Sequence, residues 1–174
     1  MATWKIDAAH SEVGFKIKHL MITNVSGNFT AFDGTVTNEG EDFKDAVITF
    51  EADIDSINTK NEQRDGHLKS PDFFDAAQYP KLSFVSTQVK KLHDDEYKVT
   101  GNLTMHGETR PVELAVEYSG IVKDPYGQTK AGFEVTGRLH RADFGLRWNG
   151  TTEAGGVILS DEVKLNASIQ VVKQ

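Results

Sequence analysis

Long stretches of this chain alternate apolar and polar residues with a period of two, and the apolar phase repeatedly includes glycine or alanine. Tyr97, Val99, Gly101, Leu103 and Met105 stand against Lys98, Thr100, Asn102 and Thr104. Phe133, Val135, Gly137 and Leu139 stand against Glu134, Thr136, Arg138 and His140. Val163, Leu165, Ala167, Ile169 and Val171 stand against Lys164, Asn166, Ser168 and Gln170. Period two puts alternate side chains on opposite faces of a strand, one toward a core and one toward water. A face that mixes bulky and small groups need not fill its own space. A barrel can keep room for a ligand in this way.

The same alternation runs through Val13, Phe15, Ile17 and His19, through Ala46, Ile48, Phe50, Ala52 and Ile54, through Leu82, Phe84 and Ser86, and through Val112, Leu114, Val116 and Tyr118. Between Val25 and Thr37 the apolar phase changes from odd (Gly27, Phe29, Ala31) to even (Phe32, Gly34, Val36). That shift predicts a single strand with a β-bulge at Gly27 or Gly34. The count is eight strands with a short ninth at Thr3–Ile6. Turn chemistry separates them at Asn38-Glu39-Gly40, His93-Asp94-Asp95, His106-Gly107, Asp124-Pro125-Tyr126-Gly127 and Ala154-Gly155-Gly156. The expected fold is all-β, an eight-stranded antiparallel barrel in preference to a sandwich.

One segment departs from this pattern, so a short helical insertion is expected at about residues 59–78. Thr59-Lys60-Asn61-Glu62 has the form of a capping box, which predicts a helix with Thr59 as N-cap, running to about Lys69. Ser70-Pro71-Asp72 predicts a second helix start. Phe73, Phe74 and Tyr79 follow, and three aromatics beside an insertion suggest a plug over one barrel end.

A chain of 174 residues is most simply one domain, 1–174, with a core of its own. It has no cysteine, so disulfides and thiolate metal sites are excluded. A net charge of −7 argues against a nucleic-acid partner and disfavours electrostatic docking of the chain as a whole on anionic lipid surfaces. No apolar run approaches the ~20 residues of a membrane-spanning helix. Residues 1–9 lack the pattern of a signal peptide, which leads to the expectation of a cytoplasmic protein, a processed secreted form being the alternative. The six histidines show no metal-ligand spacing, and neither a phosphate loop nor a nucleophile motif is present. No metal, required cofactor or catalytic residue is expected.

Four polar side chains stand out. His19 shares the inward phase of Phe15 and Ile17, and it reads either as a buried, hydrogen-bonded histidine or as a donor to a ligand head. Leu20, Met21 and Ile22 after it form an apolar lip or a capping loop. Arg141 continues the inward phase of Phe133–Leu139 with Asp143 two residues on, which fits a structural Arg–Asp pair or a bidentate anion site. Arg64, Asp65 and His67 form a second such cluster within the insertion.

These stretches resemble the YceI-like proteins, lipocalin-like barrels associated with polyisoprenoids and other long-chain amphiphiles. The likeness runs through Trp4-Lys5-Ile6-Asp7 with His10-Ser11, Phe15 to Met21, and Val25-x-Gly27-x-Phe29. It continues through Asn61-Glu62-x-Arg64-Asp65-x-His67-Leu68-x-Ser70 and Asp72-Phe73-Phe74-Asp75 with Tyr79-Pro80. Gly101-x-Leu103-Thr104, Gly107, Arg141-x-Asp143-Phe144-Gly145 and Val163-x-Leu165 complete it. The resemblance implies an antiparallel barrel around an elongated apolar tunnel with the helical insertion against it. It also implies a bound isoprenoid, quinone or fatty amphiphile, and it allows a homodimer. Without a secretion signal the chain looks like the leaderless members.

The leading expectation is a module that sequesters or carries a long-chain lipid. The tail would lie along Phe15, Ile17, Phe29, Ile48, Phe50, Phe84, Leu103, Met105, Phe133 and Val135, bordered by Gly101, Gly137 and Ala167. His19, Arg64, His67 and Arg141 would contact the head or close the tunnel. The alternatives are an enzyme acting on an amphiphile with His19 or His67 and Arg141, or a stress-related scaffold without ligand.

Overall fold

The computed structural model describes residues 1–149 and 158–174. Its strands are β1 (Ala2–Ile6), β2 (Glu12–His19), β3 (Thr23–Phe29), β4 (Phe32–Asn38), β5 (Val47–Asp53), β6 (Ile57–Asn58), β7 (Lys81–His93), β8 (Glu96–Met105), β9 (Glu108–Lys123), β10 (Thr129–His140) and β11 (Leu159–Lys173). One α-helix, α1 (Glu62–Lys69), lies between β6 and β7.

These eleven segments build eight barrel strands, because three of the eight are bent. β1 and β2 form the first, interrupted by a 3₁₀ turn at Ala8–His10. β3 and β4 form the second, and β5 and β6 the third, interrupted by a 3₁₀ turn at Ile54–Ser56. The breaks lie side by side: Val13 pairs with Phe29 beyond the break and Lys5 with Thr35 before it, while Phe32 pairs with Ala52 and Phe29 with Ile57. Each strand pairs antiparallel with the next, and β11 closes the ring by pairing with both β1 (Trp4↔Lys173) and β2 (Phe15↔Leu165). The result is a closed antiparallel eight-stranded barrel, as the alternation implies.

Three local expectations are corrected. The short ninth strand at Thr3–Ile6 is the first half of the first barrel strand. The phase change between Val25 and Thr37 is a break at Thr30-Ala31, and both glycines sit in regular ladder on either side. There the backbone turns to other partners: Thr30 N–H donates to Ser56 O at 3.2 Å, and Asp53 N–H to Ala31 O at 2.9 Å. The insertion holds a single helix. Its N-cap is Asn61, whose side chain accepts from Arg64 N–H at 2.9 Å, with Glu62 in the first turn and Lys69 in the last. Thr59 lies outside it, and Ser70-Pro71-Asp72 forms turns because the Ser70 N–H closes the preceding helix on His67 O. The turn expected at Ala154-Gly155-Gly156 lies outside the described residues.

We call the end bearing the β2–β3 turn the upper end; residues 59–80 and 141–149 lie there too. The lower end carries the β4–β5 loop, residues 39–46, and the β9–β10 turn. Two apolar clusters line the interior. One lies toward the upper end around Phe29, Ile54, Phe84, Leu103 and Phe144, and the other toward the lower end around Trp4, Phe43, Tyr97 and Val171.

Candidate functional site

The inward phase does not fill the barrel. A cavity of about 500 Å³ runs through it, lined almost wholly by apolar side chains. Phe15, Ile17, Phe29, Ile48, Phe50, Phe84, Leu103, Met105, Phe133, Val135 and Ala167 all line it. Many of these, including Phe15, Ile48, Phe133 and Val135, are only half-buried although they point inward, because they border empty space.

Gly101 and Gly137 do not line the cavity. A Cβ built on Gly101 would lie 2.4 Å from the Phe84 ring, and one on Gly137 would lie 2.7 Å from Leu114 Cδ2. Gly27 behaves likewise beneath its ladder partner Phe15, at 2.5 Å. Each glycine is a seat onto which a large side chain from the neighbouring strand lies down. These three glycines of the inner phase therefore let bulky residues tilt, whereas the small residues Ala46 and Ala167 line the cavity themselves.

The lower end is sealed by Phe43, which the sequence reasoning missed. It lies in a polar loop with no periodicity, and its only local signal is a lone large aromatic among acidic residues. Phe43 is 4% exposed and contacts Trp4, Tyr118 and Phe133 with ring centroids 5.5, 5.6 and 5.0 Å apart. Asn38 shapes the loop: its Oδ1 accepts from Trp4 Nε1 at 3.0 Å, and its Nδ2 donates to Gly40 O and Asp42 O. Phe43 N–H donates to the Tyr97 hydroxyl at 3.4 Å. Partial burial, aided by Tyr97, pushes the Tyr118 phenol above its ordinary range.

The upper end is built from polar and aromatic groups together. All four polar residues singled out in the sequence, His19, Arg64, His67 and Arg141, border the cavity there. Arg141 is 6% exposed, and its guanidinium is committed to backbone carbonyls. Nε donates to Ser160 O at 2.9 Å, and Nη1 donates to Leu146 O at 2.9 Å and Trp148 O at 2.7 Å. No Arg141–Asp143 ion pair forms, because the 3₁₀ turn at Arg141–Phe144 leaves Asp143 exposed. Burial lowers the Arg141 pKa, and the charge of Asp161 works against that shift.

His67 Nε2 lies 2.9 Å from Asp72 Oδ2. Its ring meets Phe73 and Trp148 edge-on, with centroids 5.0 and 4.8 Å away, and Phe73 and Trp148 are 5.2 Å apart. This triad ties the helical insertion to the segment that Arg141 holds. Beside it, Thr59 is 4% exposed and donates from both its N–H and its hydroxyl to Asp65 Oδ1. Arg64 donates from Nε to the Thr59 hydroxyl at 2.8 Å and from Nη2 to Thr59 O at 2.7 Å. Thr59, read from sequence as the helix N-cap, is thus the buried centre of a part-buried hydrogen-bonded knot with Asp65 and Arg64.

Chemically, the arrangement offers a long apolar space, a dry aromatic floor, and an upper rim with cations and ring edges. Such a site suits an elongated apolar molecule with one polar end. Among the described residues, no helix is long and apolar enough to cross a membrane.

Comparison with known proteins agrees with this architecture. The family model for the YceI-like domain matches residues 4–171. The UPF0312 protein SAS2572 of Staphylococcus aureus strain MSSA476 is 41% identical over 171 residues, covering 98% of this chain and 97% of that protein. The crystal structure of a Campylobacter jejuni YceI protein superposes with a TM-score of 0.78 at 35% identity, covering 97% of this chain and 96% of that one. A domain from Saccharophagus degradans, described as polyisoprenoid-binding and implicated in plant cell wall breakdown, shares the fold with a TM-score of 0.69. It is 16% identical and the match covers 98% of both chains.

Proposed function

The chain belongs to the YceI-like domain family, and from that premise we propose that it binds a long-chain isoprenoid or similar amphiphilic lipid and sequesters or carries it. The observation that carries this reading is the cavity of about 500 Å³, whose walls are mostly apolar and whose histidine and arginine side chains, His19, Arg64, His67 and Arg141, gather at one end. That size falls within the ~300–1,000 Å³ of small-molecule sites. Burial of each methylene contributes ~0.8 kcal/mol, so a tail gains affinity with length and needs little from its head. The tail lies along Phe15, Ile48, Phe50, Phe133 and Val135, and the head lies near His19, Arg64 and His67. The polyisoprenoid-binding description of a protein with the same fold supports the ligand class.

The enzyme reading has less support. Arg141 uses its Nε and Nη1 on backbone carbonyls, and His67 Nε2 faces Asp72. Neither arrangement leaves the arginine fork and the imidazole turned toward one reacting group.

The test is native extraction of the protein from more than one host, followed by mass spectrometry, together with titration of a fluorescent prenyl chain. A co-purifying long-chain amphiphile and saturable binding are expected. Empty protein that also ignores the probe overturns the proposal.

A further inference from the structure

The turn between β2 and β3 is built against local preference. Its central residues, Leu20 and Met21, have φ of +53° and +60°, and Ile22 N–H donates to His19 O at 3.2 Å. Two consecutive left-handed residues are the mark of a type I′ turn, a geometry that favours Asn-Gly. The β8–β9 turn has the same sign pattern, with φ of +55° at His106 and +74° at Gly107, and it does place glycine second. The β2–β3 turn instead holds two bulky apolar residues in a strained backbone and leaves them in water. Leu20, Met21 and Ile22 are 40, 53 and 78% exposed. Neither the backbone nor the core gains from them, so their use lies outside the barrel.

The surroundings say what kind of surface they meet. The outward side chains of β2 next to the turn are Lys16 and Lys18. The ladder sets Lys16 directly beside Lys164 of β11, and Lys164 beside Arg138 of β10. Like charges placed opposite one another cost stability, and here they gather on a chain whose net charge is −7. Of the acids on this face, Glu162 is engaged by Arg138 at 3.3 Å, Asp161 by His140 at 2.9 Å, Glu113 by Lys98 at 3.1 Å and Glu134 by the Ser168 hydroxyl at 2.7 Å. Among the described residues, Lys16, Lys18 and Lys164 form no ion pair. The tip also adjoins the cavity. His19 and its ladder partner Leu159 both line it, and Leu20 N–H donates to Ile158 O at 2.7 Å. The β9–β10 turn at the other end also exposes a large side chain, Tyr126. There, however, Gly127 takes the left-handed position and Asp124 supplies negative charge.

We propose that the Leu20-Met21-Ile22 tip inserts into the surface of an anionic lipid bilayer, with Lys16, Lys18 and Lys164 against its headgroups, and that the cavity takes up or delivers its chain there. An apolar tip beside lysines matches the acyl boundary and the negative headgroups of such a surface. Uptake at the tip rests on the lipid reading of the cavity, whereas docking stands on the exterior alone.

The experiment is flotation of the full chain with phosphatidylglycerol–phosphatidylcholine vesicles and with phosphatidylcholine vesicles, at low and high salt. Binding to the anionic vesicles that weakens with salt is expected. Leu20→Asn combined with Met21→Gly gives the turn its preferred residues. Thermal stability should hold or rise while flotation is lost, whereas a purely structural tip would leave flotation unchanged. Lys16→Gln with Lys164→Gln should weaken binding by about fivefold for each charge removed. Wild-type protein that stays off anionic vesicles, or a tip variant that floats as well as wild type, overturns the proposal. Capture by a single-stranded oligonucleotide that the tip variant retains, in place of vesicle binding, overturns it too. Protein that floats but carries no chain on extraction and ignores the prenyl probe overturns the cavity reading and leaves docking standing. Protein that carries a chain but never floats does the reverse.

Discussion

At the lower end of the barrel Phe43 sits among Trp4, Tyr118 and Phe133, and the polar groups there serve to shape the loop that brings it in. At the upper end, by contrast, a helix, two segments of irregular chain and a turn meet through Arg141, His67, Trp148 and the Thr59 knot. The lower closure is a dry ring cluster within the barrel wall and its loop. The upper one is a set of hydrogen bonds and ring edges between separate segments. Dry aromatic packing resists opening as a unit, while contacts between segments can open individually. The difference teaches where exchange with the outside would occur, and each end can be tested separately.

The largest effect is expected from Phe43→Ala. It removes the floor and should cost about 3–5 kcal/mol in urea unfolding, as for other large-to-small changes in cores. A much smaller loss would mean that the lower end is not a packed seal. Arg141→Met comes next, because Leu146 O, Trp148 O and Ser160 O all lose a charged donor. About 2–3 kcal/mol should be lost, with a change in Trp148 emission that Phe43→Ala does not produce. Gly101→Ala tests the seat beneath Phe84. The added methyl would meet the Phe84 ring and also the Val85 carbonyl oxygen, 2.6 Å away, so it should push the ring toward the cavity and strain the β7–β8 ladder, cost about 1–3 kcal/mol and weaken binding of a prenyl probe. Unchanged stability would show that the glycine borders free space after all.

A smaller effect concerns acid. The hydrogen bond from His10, aided by the charges of His10 and Lys130, holds the Asp7 carboxyl below its ordinary value of 3.8. Backbone N–H groups of Gln128 and Tyr126, together with Lys130, do the same for Asp124. A depressed folded pKa adds stability that is complete above the unfolded value and is lost as pH falls through the folded one. The urea midpoint should therefore hold down to about pH 4 and fall below it, and Asp7→Asn should flatten that fall. The gentlest test uses the two tryptophans, Trp4 at the lower end and Trp148 at the upper. In Trp4→Phe protein a prenyl probe should shift the remaining Trp148 emission, whereas in Trp148→Phe protein Trp4 should respond weakly. The opposite pattern would place exchange at the lower end.

Much of this was legible along the chain. The alternating stretches correspond to barrel strands, the inward phase supplies most of the cavity wall, and His19, Arg64, His67 and Arg141 all reach one end. What was not legible depended on contacts between distant segments. Phe43 carries no period and gains its role only because Asn38 and Tyr97 draw its loop inward. Thr59 has the spacing of an N-cap, yet Asn61 takes that place and Thr59 is drawn down to Asp65 and Arg64. The Arg141–Asp143 pairing suggested by spacing fails because a 3₁₀ turn separates the two side chains and carbonyls claim the arginine.

Alternation with small residues on the inner phase remains the key to the molecule, for two different reasons. The period of two determined strands, faces and barrel class by itself, since covalent geometry sends successive side chains to opposite sides of a strand. Whether a glycine on that face leaves a void or receives a ring was decided only by tertiary structure. It depends on which side chain the neighbouring strand lays across it, and closure of the barrel sets that register. Phe84 over Gly101 and Leu114 over Gly137 make both glycines seats. The hollow they were expected to border lies beyond them, among bulky side chains that eight closed strands hold too far apart to meet.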